Sequence, residues 1–505
     1  MPSLHRVLDA SPIDDLGSYI ASGGGEGLSG ARSVDRMVIL DVLERSGLRG
    51  RGGAGFPTAT KWASVLANTT STVPTPVVIN GAEGEPSTFK DRAILRTCPY
   101  RVLEGALIAC AFLQSSELVV AMKQSFAAEW ERMAGAVDEL DAAGWLEGIN
   151  VRFVPGPSAY LFGEETALLE VVDGRQPFPR VTPPWRRGVF EQSDGSAAHA
   201  ELATSRDSGE TTDGAPALVN NVETFANVAL IVRHGPEWFR EVGTPESPGT
   251  VVCTVVGDIT RCGVGEFAMG TPLNEVLESI GEGPRDGRRI VAVLPGASSA
   301  AIDEMHLDTP LTHEAFHAAG SALGSAGFLC LDDTTDPLRV ARGAARFLSV
   351  ESCGQCTPCK EDGLAITALL DKVISDDASE EDIVEIGQRL ETITNEARCS
   401  LATQQQTVVR ALLGVGARGH EQLVRRPIPS DDRPDGSDAA KASPIWERTL
   451  APLIDIVDGV AVYDESQEGK QPDWSFAPID SGVFPAQRLQ DVPVDAAQKG
   501  KSWDQ

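Results

Sequence analysis

Basic residues are scarce in this chain: 43 lysines and arginines face 73 acids across 505 residues, a formal net charge of −30. A field of that sign repels nucleic-acid backbones and anionic membrane surfaces, so neither is an expected partner. An anionic ligand would have to be held by local backbone donors and a few well-placed cations. No unbroken apolar run approaches the ~18 residues that a spanning helix needs, so no membrane span is expected. The opening MPSLHRVLDASPIDDL lacks a charged stretch followed by an apolar one, so no export signal is expected and the reading is cytoplasmic. Cysteines number nine, an odd and sparse set that does not suit a disulfide framework. No internal repeat is visible.

What is present is concentrated. Cys353, Cys356 and Cys359 stand at three-residue intervals in SCGQCTPCK, with Cys399 forty positions later. Thiolates at that spacing converge from one tight loop, and Gly354 and Pro358 supply the turn. C-x2-C-x2-C with a distant fourth cysteine suits a [4Fe–4S] cluster. Structural zinc is the rival, but it favours separated pairs or mixed Cys/His ligands, and no histidine lies near this loop. The remaining cysteines (Cys98, Cys110, Cys253, Cys262, Cys330) read as small hydrophobes.

The 42% hydrophobic content is ample for several cores. Residues 1–45 form a lead-in ending in a helix, with Val34, Met37, Val38, Leu40 and Leu43 at helical spacing. Residues 46–245 alternate strands (77–80, 117–122, 150–155) with helices (101–113, 124–143), the pattern of a parallel α/β sheet. Within them, 191–216 is polar and unpatterned, a flexible insertion. Residues 246–335 change to β-rich runs around one short helix (272–280), a small α+β module. Residues 336–420 are helical and would bring Cys399 back to the other three cysteines. From 421 to 505 a Pro/Asp-rich linker leads to an extension with one apolar patch, LAPLIDIVDGVAVYDE.

Three further motifs carry chemistry. In GLRGRGGAGFPTATKW (47–62) the glycines open the backbone N–H groups to an anion, and Arg49, Arg51 and Lys61 add charge. Alone, the same residues describe a flexible surface loop equally well. INGAEGEPSTFKDR (79–92) follows a strand, where open α/β sheets bind ligands. There Asn80 suits a heterocycle and Glu83 or Glu85 suits ribose hydroxyls, while a solvated acidic turn is the plain alternative. In GPSAYLFGEETALLE (156–170), Glu164 and Glu165 open an apolar helix, which is also an ordinary place for acids.

These motifs, in this order and together with PFPRVTPP (177–184) and VNNVET (219–224), resemble one family. It is the flavin-bearing, NADH-oxidising subunit of respiratory complex I, with its relatives in NAD-linked hydrogenases and formate dehydrogenases. The resemblance covers roughly residues 40–415. It implies an FMN-binding α/β domain, a ubiquitin-like β-grasp domain of the SLBB kind, and a helical bundle carrying a [4Fe–4S] cluster on Cys353, Cys356, Cys359 and Cys399.

By the same resemblance, FMN lies against Gly50, Arg51, Gly52, Gly53, Lys61, Asn80 and Glu83, with Tyr160, Gly163, Glu164, Asn220, Asn221 and Thr224 closing the pocket. NAD(H) lies on Phe56, Glu85, Glu165 and Trp185, where aromatic faces stack and carboxylates accept hydroxyls. Glu85 and Glu165 are the candidate catalytic residues of this reading. Three positions depart from the pattern: Ala82 where an Asp is usual, Thr182 where a Lys is common, and Ser64 in place of an aromatic. The implied function is an NADH dehydrogenase subunit passing hydride to FMN and single electrons through the cluster to a partner. The alternative is an NAD-independent relay between ferredoxin-type partners. No second cysteine set is present, so the implied partner is a [2Fe–2S] or ferredoxin-like subunit of a larger complex, which would place the chain in the cytoplasm or peripherally on the inner face of a membrane complex.

Overall fold

The computed structural model describes residues 4–70, 73–188, 215–285, 287–423, 453–457 and 460–463. Three helices open the chain: α1 (Leu16–Ala21), α2 (Glu26–Ser33) and α3 (Arg36–Ser46). Asp35 caps α3 by accepting from Met37 N, and Gly47 ends it in the left-handed conformation. The lead-in is thus more helical than its sequence suggests. On α3 the buried residues are Ile39, Leu43 and Ser46, while Met37 and Val38 lie exposed, as does Val34 just before the helix. The spacing was right for a helix but pointed at a wider apolar face than the one its neighbours cover.

A four-stranded parallel sheet follows. Its elements are α4 (Thr58–Leu66), β1 (Val77–Gly81), α5 (Lys90–Thr97), α6 (Pro99–Leu113), β2 (Glu117–Lys123), α7 (Ala127–Ala142), β3 (Asn150–Gly156), α8 (Glu165–Val172), β4 (Leu218–Asn221), α9 (Val222–His234) and α10 (Pro236–Arg240). Spatial order is β3-β2-β1-β4, all parallel. β2 is buried on both faces, as continuous apolar strands of parallel sheets are. α6 is nearly wholly buried, its charged Arg101 and Glu104 paired with Asp9 and Tyr19, and α9 packs across it. The chain steps outward from β1 to β2 to β3, then returns to the far side of β1 as β4. The carboxyl ends of β1 and β4 therefore flank a topological switch, where open α/β sheets form their ligand crevice.

The second sheet is mixed. β5 (Thr250–Gly257), β6 (Gly263–Ala268), α11 (Leu273–Gly281), β7 (Ile290–Pro295), β8 (Ile302–Asp303), α12 (His313–Ala318) and β9 (Gly327–Asp332) succeed one another. β5 runs parallel to β9 and antiparallel to β6, and β7 is antiparallel to both β9 and β8. Buried Glu266 on β6 accepts from the N–H groups of Arg6, Val7 and Leu8 at 2.8–2.9 Å, tying the lead-in to this sheet.

Four helices complete the body: α13 (Pro337–Glu351), α14 (Thr357–Ile374), α15 (Glu380–Thr392) and α16 (Leu401–Leu423). Ser379 and Asp382 form a reciprocal capping box on α15. The apolar patch of the extension forms a hairpin, β10 (Leu453–Val457) and β11 (Val460–Tyr463), whose second strand pairs antiparallel with β6. The insertion at 191–214 and the linker at 424–452 lie outside the described residues. None of the described helices is long and apolar enough to cross a membrane.

Candidate functional site

The crevice is built where β1 and β4 part. Register pairs Ile79 with Asn220 and Asn80 with Asn221, so the three asparagines sit together at the carboxyl edge. Asn80 donates to Gly163 O at 2.9 Å and accepts from Ala82 N at 3.1 Å. Asn220 accepts from Trp62 Nε1 at 2.9 Å in the amide orientation that satisfies both groups. Asn221 caps α9 and donates to Asp91 at 2.6 Å.

The glycine loop folds over this edge. Its base is closed by Gly50 N to Phe56 O at 2.8 Å and Thr58 N to Leu48 O at 2.9 Å. Arg51 N donates to Thr224 Oγ1 in the first turn of α9 at 2.9 Å. Gly55 has φ +61°, and a Cβ there would fall 2.5 Å from the ring of His313. The Arg51 guanidinium is buried, reaching Pro248 O at 3.3 Å and lying 4.0 Å from Glu223, yet its Nε has no hydrogen-bond partner. Burial holds it below the ordinary arginine value, with Glu223 opposing.

Below the loop lies a buried charge network. Lys90 donates to Asp91 at 2.6 Å and Asn221 at 3.0 Å, with Glu223 at 3.0 Å. Burial works against its charge, but the two carboxylates outweigh that and hold it above the usual lysine range. Glu83 is spent internally: it accepts from Asp91 N and from Arg92 Nε at 2.9 and 2.8 Å, and is buried.

The two carboxylates expected at a dinucleotide are both engaged. Glu85 accepts from Tyr160 OH at 2.6 Å and from Ala297 N at 2.7 Å. Gly296, at φ +77°, makes room for it, since a Cβ there would meet Glu85 Oε1 at 2.2 Å. Burial raises the Glu85 carboxyl, with Tyr160, Ser298 and Ala297 opposing. Glu165 is paired with Lys61, which also donates to Val219 O at 3.2 Å. Glu164 caps α8 through Ala167 N at 2.8 Å. At the mouth, Phe56 and Trp185 stack with centroids 6.3 Å apart and planes 21° from parallel.

The four cysteines meet. Cys353, Cys356, Cys359 and Cys399 line one pocket with Leu161, Pro179 and Leu401. Lys360, buried, donates to the carbonyls of Ser349, Val350 and Ser352 at 2.7, 3.2 and 3.2 Å, holding the end of α13 against the loop. Burial pushes the Cys359 thiol up to about 11 and the Cys399 thiol up to about 12, so both need neighbouring positive charge to ionise. Among the described residues, no three His, Cys, Asp or Glu close on a single metal ion. Four thiols around one pocket, with no histidine among its lining, suit a multi-iron body better than one zinc. The turn Tyr160–Gly163 joins the two centres: Gly163 O faces Asn80, and Leu161 lines the cysteine pocket.

Comparison with known proteins decides the family. The Nuo51 FMN-binding domain matches residues 43–230, and the NADH-ubiquinone oxidoreductase-F iron-sulfur binding region matches 339–415. The second F-type NADH-quinone oxidoreductase subunit of Rhizobium meliloti (strain 1021) is 34% identical over 425 residues, spanning 82% of this chain and 95% of the relative. The chain belongs to the family of F-type NADH-quinone oxidoreductase subunits. NADP-reducing hydrogenase subunit HndC of Solidesulfovibrio fructosivorans is 32% identical over 428 residues, 83% of this chain and 81% of that one. A crystal structure of NAD+-reducing [NiFe]-hydrogenase in the air-oxidized state superposes with a TM-score of 0.67 at 28% identity, covering 81% of this chain and 67% of that one. As a family member the chain is an FMN- and iron–sulfur-dependent NADH oxidoreductase subunit.

The residues present fit both groups. The backbone N–H groups of the glycine loop, with the buried Arg51 guanidinium beneath it, suit a phosphate, and four thiols lining one pocket suit a cluster. Four of the five other cysteines are buried and Cys262 is half-buried. Sequence reasoning missed His313, Gly296, Ala297 and Gln404, the last lying 3.3 Å from Tyr160 OH. They come from distant segments with no local pattern to mark them. Lys90 and Asp91 stood inside a quoted motif, and a Lys–Asp pair opening a buried helix was their signal.

Proposed function

We propose that residues 46–245 hold FMN at the β1/β4 switch and that NADH enters past Phe56 and Trp185. FMN supplies the two-electron to one-electron conversion, and the cluster carries electrons onward singly. The backbone N–H groups of the glycine loop, with Arg51, hold the phosphate, and Asn80, Asn220 and Asn221 orient the ring. The Lys90 network fixes Asn221 and so the pocket floor. Glu85, set by Tyr160 and Ala297, and Glu165, set by Lys61, position the ribose end. In this reading the turn Tyr160–Gly163 keeps the flavin pocket and the cluster close by contacting both.

The 246–335 module fits the β-grasp reading, since a hairpin and helix precede a strand, β9, that runs parallel to the first, β5. Its loops at Gly296–Ala297 and His313 wall the crevice. A partner carrying a [2Fe–2S] or ferredoxin-like centre takes the electrons, because no second cysteine set lies in the chain. That places the chain in a larger cytoplasmic assembly, or one resting on the inner face of a membrane. The observation that carries the reading is the single turn serving both the asparagine edge and the cysteine pocket. Anaerobic addition of NADH to the purified protein is expected to bleach bound FMN. Bound FMN that stays oxidised under NADH would favour the NAD-independent relay to which Ala82, Thr182 and Ser64 point.

A further inference from the structure

The cysteine loop carries two polar side chains that ligation does not account for. Ser352 and Gln355 stand within SCGQCTPC and line the cysteine pocket. Each lies against a cysteine sulfur. Ser352 Oγ is 3.3 Å from Cys359 Sγ, and Gln355 Nε2 is 3.3 Å from Cys353 Sγ.

The surrounding partners settle which atom donates. Gln355 Nε2 also donates to Pro179 O at 3.2 Å, and Gln355 Oε1 accepts from Arg398 Nη1 at 3.4 Å. Turning the amide over would set its oxygen against a carbonyl and a sulfur, and its NH2 against a guanidinium. The N–H groups therefore face the sulfur. At Ser352, Gly354 N donates to Oγ at 3.4 Å, which occupies a lone pair and leaves the hydroxyl proton for Cys359. A thiolate that ligates iron has no proton, so the sulfur can only accept.

Cys359 is the buried member of the four cysteines, and burial strips its sulfur of the water that would solvate a charge. Ser352, also buried, restores one donor. Cys399 accepts from the backbone N–H of Leu401 at the start of α16, a donor that no substitution removes. Reduction adds negative charge to the cluster and its thiolates, and a hydrogen bond to sulfur strengthens as that charge grows. Donors aimed at ligand sulfurs thus favour the reduced form. We propose that Ser352 and Gln355 are positioning residues that raise the midpoint potential of the [4Fe–4S] cluster by donating to Cys359 and Cys353. This rests on the reading of the four cysteines as its ligands. The couple is one electron added to the cluster, with no bond made or broken in the protein.

The test uses the full chain with FMN and cluster in place. Iron and acid-labile sulfide are counted, and a dithionite titration followed by electron paramagnetic resonance gives the cluster midpoint. The flavin midpoint, read optically in the same sample, is the internal control. Gln355→Leu removes one donor and leaves the Ser352–Gly354 turn whole, while Gln355→Glu keeps the acceptor for Arg398 and puts charge where the donor stood. Both are expected to keep iron, sulfide and the flavin midpoint. The reduced-to-oxidised ratio of the cluster at a fixed potential should fall by about three- to tenfold, roughly 30–60 mV for a one-electron couple, and further in the glutamate variant. Ser352→Ala is expected to fall likewise and Ser352→Thr to recover. An unmoved cluster midpoint in iron-replete Gln355→Leu and Ser352→Ala would overturn the proposal. So would a flavin midpoint that moves by the same amount, or loss of the cluster from both Gln355→Leu and Ser352→Thr, since either marks a general structural role. Wild-type protein lacking iron and sulfide would instead overturn the ligand reading on which the proposal stands.

Discussion

At the glycine loop, His313 titrates far below its ordinary range, at about 4, because burial disfavours the imidazolium and Arg51 and Arg49 repel it. The unfolded chain takes up that proton near 6.5, so between those values the unfolded state binds more protons. Stability from this group is complete above pH 6.5 and lost as pH falls towards 4, by about 3 kcal/mol. His313→Asn cannot titrate, so its thermal midpoint should fall less between pH 7 and pH 4.5 than that of the wild type. Equal acid sensitivity in the two proteins would refute the account. At the cysteine pocket, Cys399→Ser is expected to abolish the paramagnetic signal of the reduced cluster while FMN content stays constant. An unchanged signal would remove Cys399 from the ligand set.

At the scale of elements, contact across helices matters more than propensity. Gly105 lies where α6 meets α9, and a Cβ there would come within 1.9 Å of Phe225 O. Gly105→Ala should therefore destabilise by about 1–3 kcal/mol or more, since backbone must move. Gly135, on the exposed side of α7, has nothing within 4 Å of its virtual Cβ. Gly135→Ala should stabilise by about 0.5–1 kcal/mol through helix propensity alone. Thermal melts of the pair check both signs, and a similar shift for the two would show that packing does not discriminate them. β2 and α6 were legible in the sequence because each carries a long apolar run, Leu118–Met122 in β2 and Ala106–Leu113 in α6. The buried side of α3 was not, because its apolar spacing spans more surface than α4, α6, α9 and α10 cover.

At the scale of the molecule, the extension closes back on its own chain. β11 pairs with β6 through Ala461 opposite Val264 and Val462 opposite Gly263. Without the hairpin, β6 would present unpaired N–H and C=O groups, a template for other chains. Deleting residues 424–505 is expected to preserve FMN and cluster content while producing higher-order species by light scattering. An unchanged monomer-sized profile would show that the hairpin does not shield the edge.

The sequence by itself determined the chemistry that depends on residue type and close spacing. The cysteine triplet, the glycine loop and the alternation of strands with helices are local, so backbone geometry and ligand preference read them directly. Tertiary structure decided which charges are available. Glu83 and Glu85 stand two residues apart in one acidic loop, yet one is spent on Arg92 and the other is reached by Tyr160 and Ala297. Arg92 is a near neighbour of Glu83, but Tyr160 and Ala297 reach Glu85 from far along the chain, and only folding brings them close enough for desolvation and hydrogen bonding to assign that carboxylate its place.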